Sequence, residues 1–141
     1  QGPGMVTIVK DVVNNTVSYA DVTGLSFAVT AGITYSFHAS INYNSTLTTT
    51  GSRWAINGPA FTALSYSSEY SLTATTSTIN TALTAYDLPA TANATSINTL
   101  NTAIIDGTIT PSADGTVIIR FASEVAASAI TVKGGSTLTW W

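Results

Sequence analysis

Apolar and polar residues alternate along most of this chain, and the alternation is clearest over residues 33–43. One parity there carries the apolar side chains Ile33, Tyr35, Phe37, Ala39, Ile41 and Tyr43. The other parity carries only small or polar ones, from Thr34 to Asn42. A period of two predicts a β-strand with one buried face and one polar face. A helix would scatter the same residues around its circumference.

Similar segments rich in β-branched and aromatic residues recur along the sequence. They predict strands over 6–13, 16–22, 25–29, 53–57, 61–72, 102–109, 116–122, 129–133 and 137–141. Residues 73–101 are less regular. Ile79 and Leu83 have helical spacing, but the threonines around them oppose a helix. We therefore predict a strand over 76–85, followed by a loop through Pro89.

Turn residues separate these segments and indicate the fold class. Pro111 and the pair Asp114-Gly115 lie between 102–109 and 116–122, which predicts a hairpin of those two strands. About eight to ten short strands of this kind are typical of an antiparallel β-sandwich, here expected to be jelly-roll-like. The absence of a fixed-period repeat argues against a propeller or a solenoid.

The domain organisation is expected to be simple. Gln1 to Gly4 precede a methionine and are interpreted as the remnant of a cleavable tag. Residues 5–141 are then predicted to be one all-β domain, long enough to bury a core without disulfide or metal crosslinks. No stretch approaches the roughly 18 apolar residues of a membrane-spanning helix, so no membrane partner is expected.

The amino-acid composition excludes several classes of function. Only 8% of residues are charged, against about 25% in ordinary soluble domains, and four basic residues are too few for a nucleic-acid surface. Cysteine is absent, which excludes thiolate chemistry and disulfides. Serine and threonine supply the polar side chains that charged residues supply in most soluble domains. Such a surface suits a subunit that lies against copies of itself, although a secreted β-domain would show the same hydroxyls through strand propensity alone.

The residues that could carry catalysis are few. His38, the one histidine, lies at a polar position of its strand, and no Gly-x-Ser-x-Gly elbow accompanies it. We interpret it as an exposed or interfacial residue. The only glutamates, Glu69 and Glu124, have no spacing that brings them together as a glycosidase pair. No enzyme activity, cofactor or metal site is predicted.

Six residues are candidates for stabilising or interfacial roles: Arg53, Trp54, Arg120, Glu124, Trp140 and Trp141. An arginine within a half-buried strand needs a carboxylate or carbonyl partner, so Arg53 and Arg120 are expected to pair with Glu69 or Glu124, with ligand binding as the alternative. Adjacent strand residues point to opposite faces, so Trp140 and Trp141 cannot both enter the core. One of them is expected to be exposed or to pack on a neighbouring subunit.

Several blocks of the sequence resemble small virion proteins of tailed bacteriophages. They are 22–27 (VTGLSF), 31–37 (AGITYSF), 50–59 (TGSRWAINGP), 107–109 (GTI), 120–124 (RFASE) and 129–136 (AITVKGGS). The resemblance spans most of the chain and includes no catalytic motif. It implies a β-sandwich module of the head-decoration, fibre or tail-tip type, commonly trimeric.

The leading hypothesis is therefore a non-enzymatic bacteriophage structural protein, a capsid decoration, fibre or tail component. It is expected to form a homo-oligomer, namely a trimer, to contact other virion proteins, and to reside in the virion after assembly in the host cytoplasm. The alternative is a receptor-binding module. It would bind a host-surface glycan through loops 44–52 and 87–101, with Tyr86 flanking the site.

Overall fold

Most of the alternating segments form β-strands in the computed structural model, which describes residues 3–141. The strands are β1 (Gly4–Thr7), β2 (Val12–Asn14), β3 (Ala20–Val29), β4 (Tyr35–Ser45), β5 (Ser52–Asn57), β6 (Phe61–Ser71), β7 (Ser77–Leu83), β8 (Asn101–Pro111), β9 (Gly115–Ser123), β10 (Ile130–Val132) and β11 (Thr137–Trp140). Among the described residues no helix is long and apolar enough to cross a membrane.

The strands form two antiparallel sheets that pack against each other. The large sheet has the order β1-β11-β4-β8-β6-β7. β10 pairs with the same edge of β4 as β11, further along the strand, and β2 pairs with the other edge of β10. The small sheet has the order β3-β9-β5. These sheets confirm the predicted antiparallel β-sandwich, with eight strands in one layer and three in the other.

The start of the chain departs from its prediction. The strand expected over 6–13 is divided into β1 and β2, because residues 8–11 leave the sheet. Of the segment interpreted as a tag remnant, residues 1–2 lie outside the described residues. Gly4 is the first residue of β1 and lies opposite Trp140 in β11.

The predicted hairpin of residues 102–109 and 116–122 is wrong. β8 belongs to the large sheet and β9 to the small one, so the turn at 112–114 carries the chain across the sandwich. Ser112 N–H donates to the Ala60 carbonyl at 2.8 Å, and the Asp114 carboxylate accepts the Ala31 N–H at 2.9 Å. Turn residues specify that the chain reverses. They do not specify which sheet the next strand joins.

The core lies between the two sheets and is rich in aromatic rings. The largest fully buried side chains are Trp54, Tyr35, Tyr43, Tyr70, Phe37 and Phe121. Gly107 in β8 makes room for two of the core rings. A Cβ atom there would lie 2.5 Å from the Tyr66 Cβ and 2.7 Å from the Phe37 ring. This inward-facing position of β8 therefore requires glycine, because side chains of the adjacent strands β4 and β6 fill the space.

Candidate functional site

The face of the large sheet that points away from the core carries mostly short polar side chains. We call it the outer face and define it by its central residues: Ser36, His38, Ser40, Asn42, Ser65, Ser67, Thr102, Ile104, Asp106 and Thr108. They alternate with the buried aromatic and aliphatic positions of β4, β6 and β8. Ile104 is 37% exposed at the centre of this face. The outer face is therefore a broad hydroxyl-rich surface with a central apolar side chain.

His38 lies on the outer face, at the polar strand position that the sequence predicts. It is directly opposite Asp106 of β8, and its Nδ1 contacts the Asp106 carboxylate. Both side chains are exposed. Within residues 3–141 no hydroxyl group hydrogen-bonds to the other ring nitrogen, and no cluster of three metal-ligating side chains is found there. This contact fixes the orientation of the imidazole on the outer face.

The two terminal tryptophans point to opposite faces, as predicted. Trp140 stacks on Phe27 with ring centroids 5.1 Å apart, so it closes one end of the core. Trp141 is 56% exposed, and its backbone pairs with Ser36 of β4. Its side chain borders a shallow groove of about 410 Å³ on the outer face, lined also by Ser65 and Thr108. Contact of Trp141 with a neighbouring subunit stays a prediction.

Arg120 lies on the solvent side of the small sheet, where it binds acidic side chains other than the predicted ones. Its Nη1 donates to the Asp87 carboxylate at 2.8 Å, and its Nε lies 3.2 Å from a carboxylate oxygen of Asp21. Asp21 is directly opposite Arg120 in the register of β3 and β9. The expected pairing with Glu69 or Glu124 is therefore wrong. Glu69 lies on β6 in the other sheet, out of reach across the core.

Arg53 has carbonyl partners instead of a carboxylate. Its guanidinium donates to the carbonyls of Ala90 at 2.7 Å and Val17 at 2.8 Å, and it lies 4.3 Å above the Tyr19 ring. The expected pairing of Arg53 with a glutamate is wrong as well, because Glu124 accepts the backbone N–H of Gly51 at 2.8 Å. Both arginines therefore hold backbone segments in place.

The segment held by the arginines is the long loop 84–100, which covers the free edge of β5. Asn93 N–H donates to the Ser52 carbonyl at 3.0 Å, and the Asn93 side chain accepts the Ser52 N–H at 2.9 Å. Asp87 N–H donates to the Ile56 carbonyl at 3.1 Å. The loop therefore supplies the backbone partners that a further strand would supply.

The two loops proposed for glycan binding do lie together, since Ser96 N–H donates to the Thr48 carbonyl at 3.0 Å. Tyr86, however, is not free to stack on a sugar. Its hydroxyl donates to the Pro59 carbonyl, and its ring packs edge-on against Phe61. Trp54 is fully buried, which makes it a core residue and removes it from the surface.

The partners of the arginines, Asp21, Asp87 and Tyr19, are the structurally important residues that sequence reasoning missed. Asp21 carries a local signal, because a charged residue beside the buried Val22 marks the solvent side of its strand. No local pattern connects Asp87 with Arg120. Asp87 lies in loop 84–100, which connects two strands of the large sheet, whereas Arg120 lies on β9 of the small sheet.

Buried tyrosines give the fold a predictable response to alkaline pH. Burial raises the pKa of Tyr43 and of Tyr66 to about 12, and it also raises the pKa of Tyr19 and Tyr70. An unfolded tyrosine ionises near pH 10, so between about pH 10 and 12 the unfolded chain loses protons that the folded chain keeps.

We therefore expect the contribution of these tyrosines to stability to be constant below about pH 10 and to fall above it, by about 1–3 kcal/mol for each of Tyr43 and Tyr66. Urea denaturation at a series of alkaline pH values measures this loss. Tyr43→Phe should reduce the slope, because one of the titrating hydroxyls is gone. A flat profile across the same pH range would contradict the expectation.

Comparison with known proteins adds little to this description. No protein-family model and no curated protein matches the chain. Among solved structures, the structure of infectious bursal disease virus Gx strain aligns with 99% of this chain at 11% identity and a TM-score of 0.31. This chain spans 39% of that one. A likeness at this level assigns neither a family nor a function.

Proposed function

We propose that this chain is a non-enzymatic structural subunit of a bacteriophage particle, a homotrimer that serves as a capsid decoration, fibre or tail component. Two lines of support combine. The blocks from 22–27 to 129–136 resemble tailed-phage virion proteins, and the outer face of the large sheet is suited to contact between subunits. The observation that carries the proposal is how little charge the surface leaves unpaired.

Most charged side chains are already bonded within the chain. Ion pairs hold Lys133 with Asp11 and Arg120 with Asp21 and Asp87, and the Asp106 carboxylate contacts the His38 ring. Arg53, Asp114 and Glu124 bind backbone groups. Of the charged residues in the described chain, only Lys10 and Glu69 have no hydrogen bond or ion pair. Burying this surface against another protein therefore costs little desolvation of free charge.

The outer face also has the side chains that protein interfaces use. Short serine and threonine side chains lose little rotamer entropy when they are fixed. Ile104 at the centre and Trp141 at the border supply apolar and aromatic groups of the kind that anchor interfaces. The groups around them are hydroxyls and amides, apart from Glu69, the cross-strand neighbour of Ile104, and the His38–Asp106 pair. The outer face is therefore the surface that we assign to contacts between subunits.

Replacing the central apolar side chain of the outer face by a long, hydrated one is expected to dissociate the trimer. Ile104→Arg introduces a guanidinium that its cross-strand neighbour Glu69 can pair with, so the fold should survive. In light scattering the parent chain should have three times its 14.6 kDa mass, and the variant should have the monomer mass.

The matched control is Ala28→Arg, which places the same charge on an exposed position of β3 in the small sheet. This variant should remain trimeric. A parent chain that stays at 14.6 kDa at every concentration would refute the trimer, and equal behaviour of the two variants would remove the outer face from it.

The glycan-binding alternative has one favourable observation, the meeting of its two loops. Beside them lies a cleft of about 260 Å³, lined by Val17, Arg53, Thr91 and Glu124 among others. The charged groups of this cleft are already bonded to backbone atoms, which leaves them little capacity for a sugar. Saturable binding on a glycan array, abolished by Thr91→Arg, would favour this alternative over a purely structural role.

A further inference from the structure

β7 forms one edge of the large sheet, and within residues 3–141 its one strand partner is β6. Its second edge therefore presents backbone N–H and C=O groups without a strand partner. Proteins protect such edges with charged side chains, proline, bulges or a covering segment, because an open edge pairs readily with another strand. Residues 73–85, which include all of β7, contain neither a charged residue nor proline.

The other sheet edges in the described chain are protected by these means. Loop 84–100 covers β5. The edge formed by β1 and β2 is interrupted at residues 8–11, where Lys10 and Asp11 add charge. β3 carries an irregularity in its pairing between Asp21 and Ser26. In contrast, β7 pairs in regular register from Ser77 to Asn80, and its irregularity comes only after that.

In β7, residues whose backbone groups bond to β6 alternate with residues whose backbone groups point away from the sheet. Leu72 N–H donates to the Thr76 carbonyl at 3.0 Å, which makes these two residues a hydrogen-bonded pair. Such pairs alternate along an antiparallel ladder, so Thr78 and Asn80 direct their backbone groups towards β6. The backbone groups of Ser77 and Ile79 therefore point away from the sheet. The alternation does not extend to Thr81, because the pairing shifts after Asn80 and Ala82 has a positive φ of 55°.

We propose that β7 pairs antiparallel with β7 of a second copy of this chain, about a twofold axis at Ile79. Ile79 then pairs with itself and exchanges two backbone hydrogen bonds with its copy, and Ser77 lies opposite Thr81 of the other copy. Ile79 is 63% exposed, and its side chain lies on the same face as Glu69. The two copies of Ile79 become cross-strand neighbours there and bury apolar surface.

A second copy fits this edge because the strand is complementary to itself. A twofold contact needs only one surface patch, and an uncharged strand meets its own copy without repulsion. The closest charge is Glu69, one strand further in. Two copies of Glu69 would be three strand spacings apart, about 14 Å, where salt screens most of their repulsion. This edge contact is separate from the outer-face contact of the proposed trimer.

The absence of cysteine from the chain allows a direct test. In a hydrogen-bonded antiparallel pair the Cα atoms lie about 5.5 Å apart, a separation that a disulfide spans. Ile79→Cys should therefore form a disulfide-linked dimer under mild oxidation, seen on a non-reducing gel. Ala28→Cys, exposed on the small sheet, should form it at least about tenfold more slowly, a difference of about 1.4 kcal/mol. Equal rates for the two variants would overturn the proposal.

A second variant tests the backbone pairing itself. Ser77→Pro removes an outward N–H at the first residue of an edge strand, a place where proline is tolerated. Added to Ile79→Cys, it should slow disulfide formation about tenfold, whereas Ile104→Arg should leave the rate unchanged. Fast crosslinking despite Ser77→Pro would rule out this register. Because Ile104→Arg acts only on the trimer, failure of the trimer and failure of the edge contact are distinguishable.

Discussion

Trp54→Ala is expected to lower the free energy of unfolding by about 3–5 kcal/mol, a large part of the stability of a domain of this size. The Trp54 ring is fully buried between Tyr43 and Phe121, with ring centroids 4.6 and 5.3 Å away. Its indole N–H donates to the Ser52 hydroxyl at 2.8 Å. Alanine would leave a cavity between the sheets, because the strands on either side are held by their own ladders.

Urea denaturation followed by circular dichroism measures the loss. Trp141→Ala is the matched control, because it removes the same ring from an exposed position. Under monomeric conditions it should change the unfolding free energy by less than about 0.5 kcal/mol. Similar losses for both tryptophans would show that Trp54 does not carry the core as described.

Arg120→Met is expected to destabilise the fold by about 2–3 kcal/mol. The guanidinium neutralises Asp21 and Asp87 and donates to the Tyr19 carbonyl at 2.9 Å. Removing one partner of a buried ion pair costs about 3–5 kcal/mol. We expect less here because the Asp87 side chain is 35% exposed and water screens part of its charge.

A double-mutant cycle separates the ion pair from general damage. Asp87 has a positive φ of 57°, which asparagine tolerates, so Asp87→Asn removes the charge and keeps the backbone. The double variant should lose less stability than the two single losses added together. Strict additivity would show that the two side chains are not coupled. Lys133→Met, which breaks an exposed pair with Asp11, should have a smaller effect than Arg120→Met.

Local pattern was sufficient to predict the fold class and most strands. It did not give all their bounds, since 6–13 is divided into β1 and β2, and the strands predicted over 16–22 and 25–29 form one strand, β3. The alternation at 33–43 places every apolar side chain of β4 on the inner side, and the uncertain segment 76–85 does contain β7. The opposite orientations of Trp140 and Trp141 also followed from strand geometry. These features depend on residues close in sequence, where parity alone decides which side chains meet the core.

Sequence reasoning failed where the outcome depended on distant partners. The turn at 112–114 has the chemistry of a hairpin, yet β8 pairs with β4 and β6. The prediction that Arg120 pairs with a glutamate rests only on the need of a half-buried arginine for a carboxylate or carbonyl partner. Its actual partners are supplied by strand register and by loop 84–100. The residue type shows that an arginine favours a carboxylate. Which carboxylate it meets depends on how distant strands and loops are arranged.

The position of β10 and β11 has a consequence for synthesis. Both strands lie between β4 and the pair formed by β1 and β2. While the chain emerges from the ribosome, the first two strands therefore have no sheet neighbour until residues 130–140 appear. Until then the Phe27 ring also lacks its stacking partner, the ring of Trp140. Closure of the sandwich is thus a late event, and premature release of the nascent chain leaves strand edges open to aggregation.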